Sequence, residues 1–441
     1  MIINLENSQE LKVIISDVER KKFKNALEKI KLISSKYPNN QILFKLFANI
    51  YFNLNEWENA IKYYKKLLNF ENKKYGIYVN IGVALFKLGK INESILYFKN
   101  ATKENPNHYL AYDNLGVSYL EIGKFDEAIQ NFVLSLELNE ESINSQNNLI
   151  RTLSLSKPKD TNRHLLLKID FLISKIDNEF KFKNNLDEHN IKKILEKCDE
   201  LINNLKKNIY FNETQIFRNN SINLNCKRHF KVFNKFNIIP KYCFSCYKVQ
   251  INLSNVVDLI KLYFAFDNLN LKNNNIRKCI VETRDKIKGN YKGYLYCENL
   301  SDAETVKKII EDKLLSMKLE NHNITIKHGC SEFYKSYPKF EKINYEGKQE
   351  FEYNKNWGQK EKLVDDDEPK RIDADKKIWE ACLKGLNLSD ALIIYNWLYY
   401  AKAIEDFSYK KIYAKEIKTS ETIKKILINQ LDFRKQQQKG W

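Results

Sequence analysis

Apolar and small side chains recur along the first third of the chain with a period of 34 residues. When the sequence is folded at that interval, four copies begin near residues 7, 41, 75 and 109. In each copy these side chains fall where a pair of helices joined by a short turn needs them, and the first copy keeps the fewest of them. The pattern therefore predicts an all-α array with a capping helix over residues 1–156.

Small residues mark the places where paired helices touch. They are Gly82, Gly116, Ala60 and Ala128, and a larger side chain there would push the helix axes beyond their contact distance of about 8 to 10 Å. Large aromatic side chains fill the space beside them. The pattern resembles the tetratricopeptide repeat over about residues 7–155. That resemblance implies a superhelix whose concave groove binds another protein.

Asparagine occupies position 6 of three successive copies, at Asn80, Asn114 and Asn148. A carboxamide offers a donor and an acceptor together, so a column of them can bind the backbone of an extended peptide without reading its sequence. This asparagine ladder looks like the one in the repeats of O-linked glycosyltransferases. Lys45, Asn49 and Asn80 also match three of the five places of the carboxylate clamp in chaperone-binding repeats. The resemblance implies a peptide-binding groove, with Lys45 and Asn49 as an anionic contact.

Beyond the repeats, the order of helical and extended patterns predicts a second domain. Two helical stretches form a predicted bridge and linker over residues 157–216. Residues 217–345 then follow the order strand, helix, strand, strand, helix, strand, which predicts a ferredoxin-like βαββαβ sandwich with strand order 4-1-3-2. Residues 346–441 are predicted to add a loop and helices that pack on the sandwich, with a frayed terminus. The predicted class of the whole chain is α+β.

The third predicted strand of this domain contains Lys292, Gly293, Tyr294 and Tyr296. This order is similar to the strand of RNA-recognition motifs whose aromatic side chains stack on bases, and alternation directs both tyrosines outward. Lys248 of the first strand is also predicted to point outward. The resemblance implies that RNA or another single-stranded nucleic acid binds this face. The alternative interpretation is that tyrosine is simply favoured in strands.

Six of the eight cysteines lie in the same domain. Cys226 and His229 precede Cys243 and Cys246 with the spacing C-x2-H-x13-C-x2-C, which supplies four ligands of the kind that tetrahedral zinc prefers. Zinc is therefore a candidate cofactor, and a zinc-dependent or thiol enzyme is an alternative function. The competing interpretation is that the cysteines are buried and act as small apolar residues.

Charge and composition narrow these alternatives. Residues 1–160 contain 22 Lys and Arg against 18 Asp and Glu, a net +4, so +14 of the total +18 lies in the remainder and favours polyanions there. The amino terminus lacks a signal-peptide pattern and no apolar run reaches 18 residues, which predicts a cytoplasmic protein without a membrane partner. No pattern identifies a small-molecule substrate or a reaction. The favoured hypothesis is an adaptor protein, rather than an enzyme, that binds a peptide segment of another protein and carries a basic effector domain.

Overall fold

The structure, a computed structural model, describes residues 8–179, 186–205, 209–219, 224–319, 321–367, 382–417 and 421–440. Contacts between Cα atoms divide the described chain into two compact units. The first unit ends at Leu149, and the second begins at Ile150. Helices dominate the first unit, whereas the second combines helices with one sheet.

The first unit is a row of helical hairpins. Each helix packs against its neighbours in the sequence, so that every hairpin also contacts the next one. The last helix of the row, α9, extends past the end of the first unit. The helices are α1 (Gln9–Glu19), α2 (Phe23–Ser34), α3 (Gln41–Asn53), α4 (Trp57–Leu67), α5 (Tyr75–Lys87), α6 (Ile91–Glu104), α7 (Tyr109–Glu121), α8 (Phe125–Leu138) and α9 (Ile143–Leu153).

The predicted close approach of paired helices is confirmed at two glycines. A Cβ atom added to Gly82 would lie 2.6 Å from Cε1 of Phe98, and one added to Gly116 would lie 2.6 Å from Cε1 of Phe132. Both distances are far below van der Waals contact, so any side chain at these positions would displace the aromatic ring. Glycine therefore allows the ring of one helix to rest on the backbone of its partner.

The second unit contains ten helices and five strands among its described residues. Three short 3₁₀ turns connect some of them. The elements are α10 (Leu165–Glu179), α11 (Glu188–Asn203), β1 (Gln215–Arg218), α12 (Cys226–Phe236), β2 (Tyr247–Leu253), α13 (Val256–Asn268), β3 (Arg277–Val281), β4 (Tyr291–Cys297), α14 (Leu300–Ser316), β5 (His322–His328), α15 (Pro338–Glu341), α16 (Trp357–Asp367), α17 (Leu388–Ala403), α18 (Glu421–Leu427) and α19 (Leu431–Lys439).

The strands form one antiparallel sheet in the order β1-β3-β4-β2-β5. The sequence predicted four strands, and the structure adds β1 as a fifth at one edge. A Cβ atom added to Gly293 of β4 would lie 2.4 Å from Leu262 of α13, so this residue faces the helices. Because side chains alternate along a strand, Lys292, Tyr294 and Tyr296 point to the other face.

The last described helix is part of the packed structure, so the prediction of a frayed terminus is wrong. The side chain of Arg434 in α19 is fully buried. Its guanidinium donates hydrogen bonds to the backbone carbonyl oxygens of Arg284, Ile287 and Gly289 in the loop between β3 and β4. The helix thereby holds that loop in place. Among the described helices, none is long and apolar enough to cross a membrane.

Candidate functional site

The asparagine ladder occupies equivalent places on three helices of the first unit. Asn80, Asn114 and Asn148 are each the sixth residue of their helix, α5, α7 and α9, and each is half-buried. The amide of Asn114 donates to the carbonyl oxygen of Leu110 at 2.7 Å within its own helix. Its carboxamide oxygen accepts no hydrogen bond from the described part of the chain. One polar atom of Asn114 is therefore available to a ligand.

The predicted anionic contact is divided between a half-buried group, Asn49, and an exposed one, Lys45. Tyr64 of α4 donates its hydroxyl to Oδ1 of Asn49 at 2.9 Å, and Asn80 of the next repeat bonds the same tyrosine. Burial raises the pKa of Tyr64 to about 12. Lys45, one turn earlier on the helix that carries Asn49, is exposed. The structure therefore brings Asn49 and Asn80 together at Tyr64 and leaves the Lys45 ammonium in solvent.

Asp113 is a polar residue beside the ladder that the sequence reasoning missed. Its carboxylate is 8% exposed and accepts hydrogen bonds from the hydroxyl of Ser145 at 3.0 Å and from the amide of Asn148 at 3.4 Å. Burial raises the pKa of Asp113, and these two hydrogen bonds oppose that rise. The network links α7 to α9 and orients Asn148. The equivalent residues of neighbouring copies are Lys45, Val79 and Asn147, so the repeat pattern gave no signal for this residue.

The second candidate site lies on the sheet face away from α13 and α14. This face forms the floor of a cavity of about 820 Å³, and neither helix contributes a residue to its lining. Parts of α12, the loop before β4, the segment after β5 and α19 form its walls. The lining side chains include Lys248, Gln250, Asn252, Lys278, Arg284, Lys292, Tyr294, Tyr296, Thr325 and Lys327.

Tyr294 and Tyr296 share this face with Lys248, as alternation predicted, but their rings are already covered. The ammonium of Lys278 lies 5.2 Å from the ring centre of Tyr294, and that of Lys248 lies 5.4 Å from the ring centre of Tyr296. Tyr294 is only 7% exposed, and burial raises its pKa to about 12. Base stacking needs a free aromatic face. The geometry therefore gives no support to the predicted stacking of RNA bases here.

Lys292, the basic residue of the same motif, is engaged inside the protein. It is 1% exposed and donates to Oε2 of Glu282 at 2.7 Å. The guanidinium of Arg284 makes two further hydrogen bonds to the same carboxylate, each 2.9 Å long. Burial alone would raise the pKa of Glu282, but the hydrogen bonds and charges of Arg284 and Lys292 lower it to about 2. Lys292 therefore serves the fold of the β3–β4 hairpin, and its predicted contact with nucleic acid is not supported.

The stability of the protein at low pH tests the role of the Glu282 carboxylate. Because the pKa of Glu282 is lower in the folded protein, its carboxylate stabilises the fold at pH values above the unfolded pKa of about 4.5. This contribution is lost as the pH falls through about 2. We expect Glu282→Gln to lower the free energy of unfolding at pH 7 by about 2 to 3 kcal/mol, because charge-assisted hydrogen bonds are lost. Urea unfolding from pH 7 to pH 2 should show the difference from wild type shrinking below pH 4.5. A difference that is constant with pH would contradict this assignment.

The four predicted zinc ligands line one small pocket, but their side chains are not arranged to hold a metal ion. Cys226 begins α12 and is exposed, whereas His229 is buried and stacks on Tyr242 with 5.4 Å between the ring centres. Cys243 packs in an apolar cluster on the 3₁₀ turn before β2, and Cys246 follows that turn. Within the described ranges, no three or more His, Cys, Asp or Glu side chains are arranged to hold a metal ion. The strand begins only at Tyr247, so the preceding turn directs Cys243 into the core.

Two of these thiols, those of Cys243 and Cys246, are also unsuited to nucleophilic chemistry. Burial raises the pKa of Cys246 to about 11 and that of Cys243 further, whereas a nucleophilic cysteine needs a lowered pKa. Cys330 accepts a hydrogen bond from the ammonium of Lys248 at 3.0 Å between Nζ and Sγ. Cys243 fits the alternative of a buried apolar residue, and neither Cys243 nor Cys246 supports the thiol-enzyme hypothesis.

Comparisons with known proteins identify the repeats. Family models described as "TPR repeat" and "Tetratricopeptide repeat" match residues 48–89, 75–108 and 97–130. The sequence prediction of tetratricopeptide repeats is thereby confirmed. A search of curated proteins gave no match.

Several solved structures are similar to part of the chain. A crystal structure of MamA is 20% identical and covers 32% of this chain and 82% of its own, with a TM-score of 0.30. MamA from Desulfovibrio magneticus is 17% identical over 32% of this chain and 81% of its own, with a TM-score of 0.31. The first repeat domain of Spaghetti (RPAP3), bound to an HSP90 peptide, is 23% identical over 25% of this chain and 89% of its own, with a TM-score of 0.25.

Proposed function

Because residues 48–130 are tetratricopeptide repeats, a module for protein interaction, we propose that this array binds an extended peptide segment of another protein. The asparagine ladder binds the peptide backbone, and Lys45 with Asn49 contacts an acidic group of the ligand. The single observation that carries the proposal is the recurrence of asparagine at the sixth residue of α5, α7 and α9.

The environment of the ladder supports this role. The three side chains are half-buried, so their conformations are restricted while part of each carboxamide still reaches solvent. Asn114 keeps an acceptor oxygen without a donor among the described residues, and a peptide N–H would supply one. Asn148 donates a hydrogen bond to Asp113. Because Asp113 is buried and held by its hydrogen bonds, it fixes the orientation of the Asn148 side chain. Preorganised polar groups of this kind lose little entropy on binding.

The test uses the full-length protein and a displayed library of random peptides. Peptides that bind the wild-type protein are resynthesised, and their affinities are measured for a variant with Asn80→Ala, Asn114→Ala and Asn148→Ala. Each lost hydrogen bond should cost about 0.5 to 1.5 kcal/mol. We therefore expect binding to weaken at least tenfold while the far-ultraviolet circular dichroism stays unchanged.

A matched control replaces three exposed asparagines on second helices, Asn59 of α4 and Asn92 and Asn100 of α6, by alanine. This variant should bind the same peptides with wild-type affinity. If the ladder variant also keeps wild-type affinity, the ladder does not bind the peptide. If no peptide binds the wild-type protein, the array does not bind extended segments of this kind.

We further propose that residues 217–345 of the second unit form a ferredoxin-like domain and that the basic part of the chain after the repeats serves as the effector of this adaptor. The spatial order β3-β4-β2-β5, together with α13 and α14 between the strands, supports that fold. The concentration of positive charge after residue 160 favours an anionic partner for it. A cytoplasmic location stays a prediction from the sequence.

A further inference from the structure

We propose that the cavity on the open face of the sheet binds a small phosphorylated molecule of up to nucleotide size. Three lysines on its floor, Lys248, Lys278 and Lys327, supply the charge that holds the phosphate groups. This site is separate from the peptide-binding role of the repeats and lies entirely within the second unit.

The three lysine side chains share one face of the sheet, and none forms an ion pair with a described acidic side chain. Lys248 of β2 stands directly opposite Lys327 of β5 in the strand register, and Lys278 of β3 lies beside Tyr294 on the same face. Across the described ranges, none of them has a carboxylate within 4.0 Å. The two acidic residues of the lining, Glu332 and Glu341, are exposed, and Glu332 pairs with Arg284.

Such a cluster costs stability when the cavity holds no anion. Like charges directly opposite each other in a sheet repel. Burial, with the nearby charges of Lys248 and Arg284, lowers the pKa of Lys278 to about 8, and burial also lowers the pKa of Lys327. A bound anion removes both penalties, because it supplies the missing negative charge and replaces lost hydration. An anionic ligand would therefore stabilise this cluster of positive charge.

The size and lining of the cavity indicate a compact ligand. Small-molecule sites enclose about 300 to 1,000 Å³, and this one has about 820 Å³. Its walls include Phe230 of α12 and Gln437 of α19, which rise above the sheet. The hydroxyl of Thr325 on its floor is buried and has no hydrogen-bond partner within the structure as described. An unsatisfied buried hydroxyl is costly, and a ligand oxygen would satisfy it.

Phosphate suits this charge better than a single carboxylate does. A phosphate group carries up to two charges and three acceptor oxygens, and lysine binds it as a point charge. Lys286 and Lys288, exposed in the loop before β4, add further positive charge to the lining. A molecule with two or three linked phosphates would therefore engage the floor and the wall together.

The experiment measures thermal unfolding and isothermal titration of the full-length protein with tripolyphosphate, with a nucleoside triphosphate and with single-stranded RNA. Potassium chloride keeps the ionic strength equal in all samples. We expect both small phosphates to raise the unfolding temperature by several degrees and to bind with a stoichiometry of one. If tripolyphosphate and the nucleoside triphosphate have equal effects, the site recognises phosphate alone. A stronger effect of the nucleoside triphosphate would support a nucleotide site.

The decisive variant combines Lys278→Met and Lys327→Met. It should bind either phosphate at least tenfold more weakly, yet unfold at no lower temperature than wild type without ligand, because it removes repelling charges. The unchanged unfolding temperature separates lost binding from lost folding. As a control, Lys308→Met on the exposed surface of α14, outside the cavity, should bind like wild type.

Three results would overturn the proposal. One is the absence of any effect of the two small phosphates at matched ionic strength. Another is equal phosphate binding by wild type and the double lysine variant. The third is RNA binding that neither small phosphate competes with, which would assign this face to a nucleic acid.

Discussion

Replacing Arg218 by methionine is expected to lower the free energy of unfolding of the second unit by about 3 to 5 kcal/mol. Arg218 is 2% exposed at the end of β1. Its guanidinium donates to Asp267 at 2.5 Å and to Asp390 at 2.6 Å, and it also bonds the hydroxyl of Tyr263 and the carbonyl oxygen of Gly385. One side chain therefore joins β1, α13 and α17.

The size of this effect follows from what the substitution leaves behind. Asp390 is as deeply buried as Arg218, and without the arginine its charge has no compensating cation nearby. Burial already raises the pKa of Asp390, so the Asp390 carboxylate of the variant should take up a proton more readily than in wild type and recover part of the loss. Urea unfolding followed by circular dichroism at pH 7 measures the change.

Two further variants distinguish a buried network from an ordinary ion pair. Adding Asp390→Asn to Arg218→Met should restore part of the lost stability, because the unpaired charge is gone. Arg151→Met removes the exposed pair with Glu213 and should change stability by at most about 1 kcal/mol. A loss below about 1 kcal/mol for Arg218→Met itself would show that the network contributes little.

The second large effect is expected in the repeats. Phe132→Ala should destabilise the first unit by about 3 to 5 kcal/mol, since the ring is fully buried against the backbone of Gly116 and its removal leaves a cavity. Repeats are stabilised by their neighbours, so the loss should spread to the adjacent hairpin. Thermal unfolding of residues in α7 and α8, followed by hydrogen exchange, would measure it.

The close contact can be tested from both sides. Gly116→Val alone should cost about 1 to 3 kcal/mol, because the new side chain displaces the ring. Combined with Phe132→Ala, the valine should fill part of the cavity, so the double variant should be more stable than the sum of the two losses predicts. Leu96→Ala, at a side chain 61% exposed on α6, is the control and should be nearly neutral. Strict additivity of the pair would contradict the contact.

Features that depend on short sequence spacing could be predicted from the sequence. Gly82 and Gly116 predict contacts between paired helices because their partners, Phe98 and Phe132, lie in the next helix of the same repeat. The sixth-residue asparagines likewise follow from the period. The alternation of β4 correctly separated Tyr294 and Tyr296 from the residues facing the helices.

Features that depend on distant partners could not be predicted. Lys248 meets Lys327 only through the register of β2 with β5, and no local pattern fixes that register. The cavity walls come in part from α12, which the predicted order of elements did not include, and from α19, which was predicted as a frayed terminus. The alternating pattern before β2 likewise gave no sign of the 3₁₀ turn that occupies residues 241–245, and β2 itself begins at Tyr247.

The long reach of Arg218 has a consequence for how the protein is made. Its bond to Asp390 spans 172 residues, and the bond from Leu388 to Asp170 spans 218, whereas Gly82 and Phe98 are only 16 apart. Low contact order favours rapid folding, so the repeats should mature while the ribosome is still translating later codons. The second unit should fold later, because Arg218 of β1 cannot bond Asp390 until α17 has left the ribosome. We therefore expect the second unit to depend more on chaperones during synthesis.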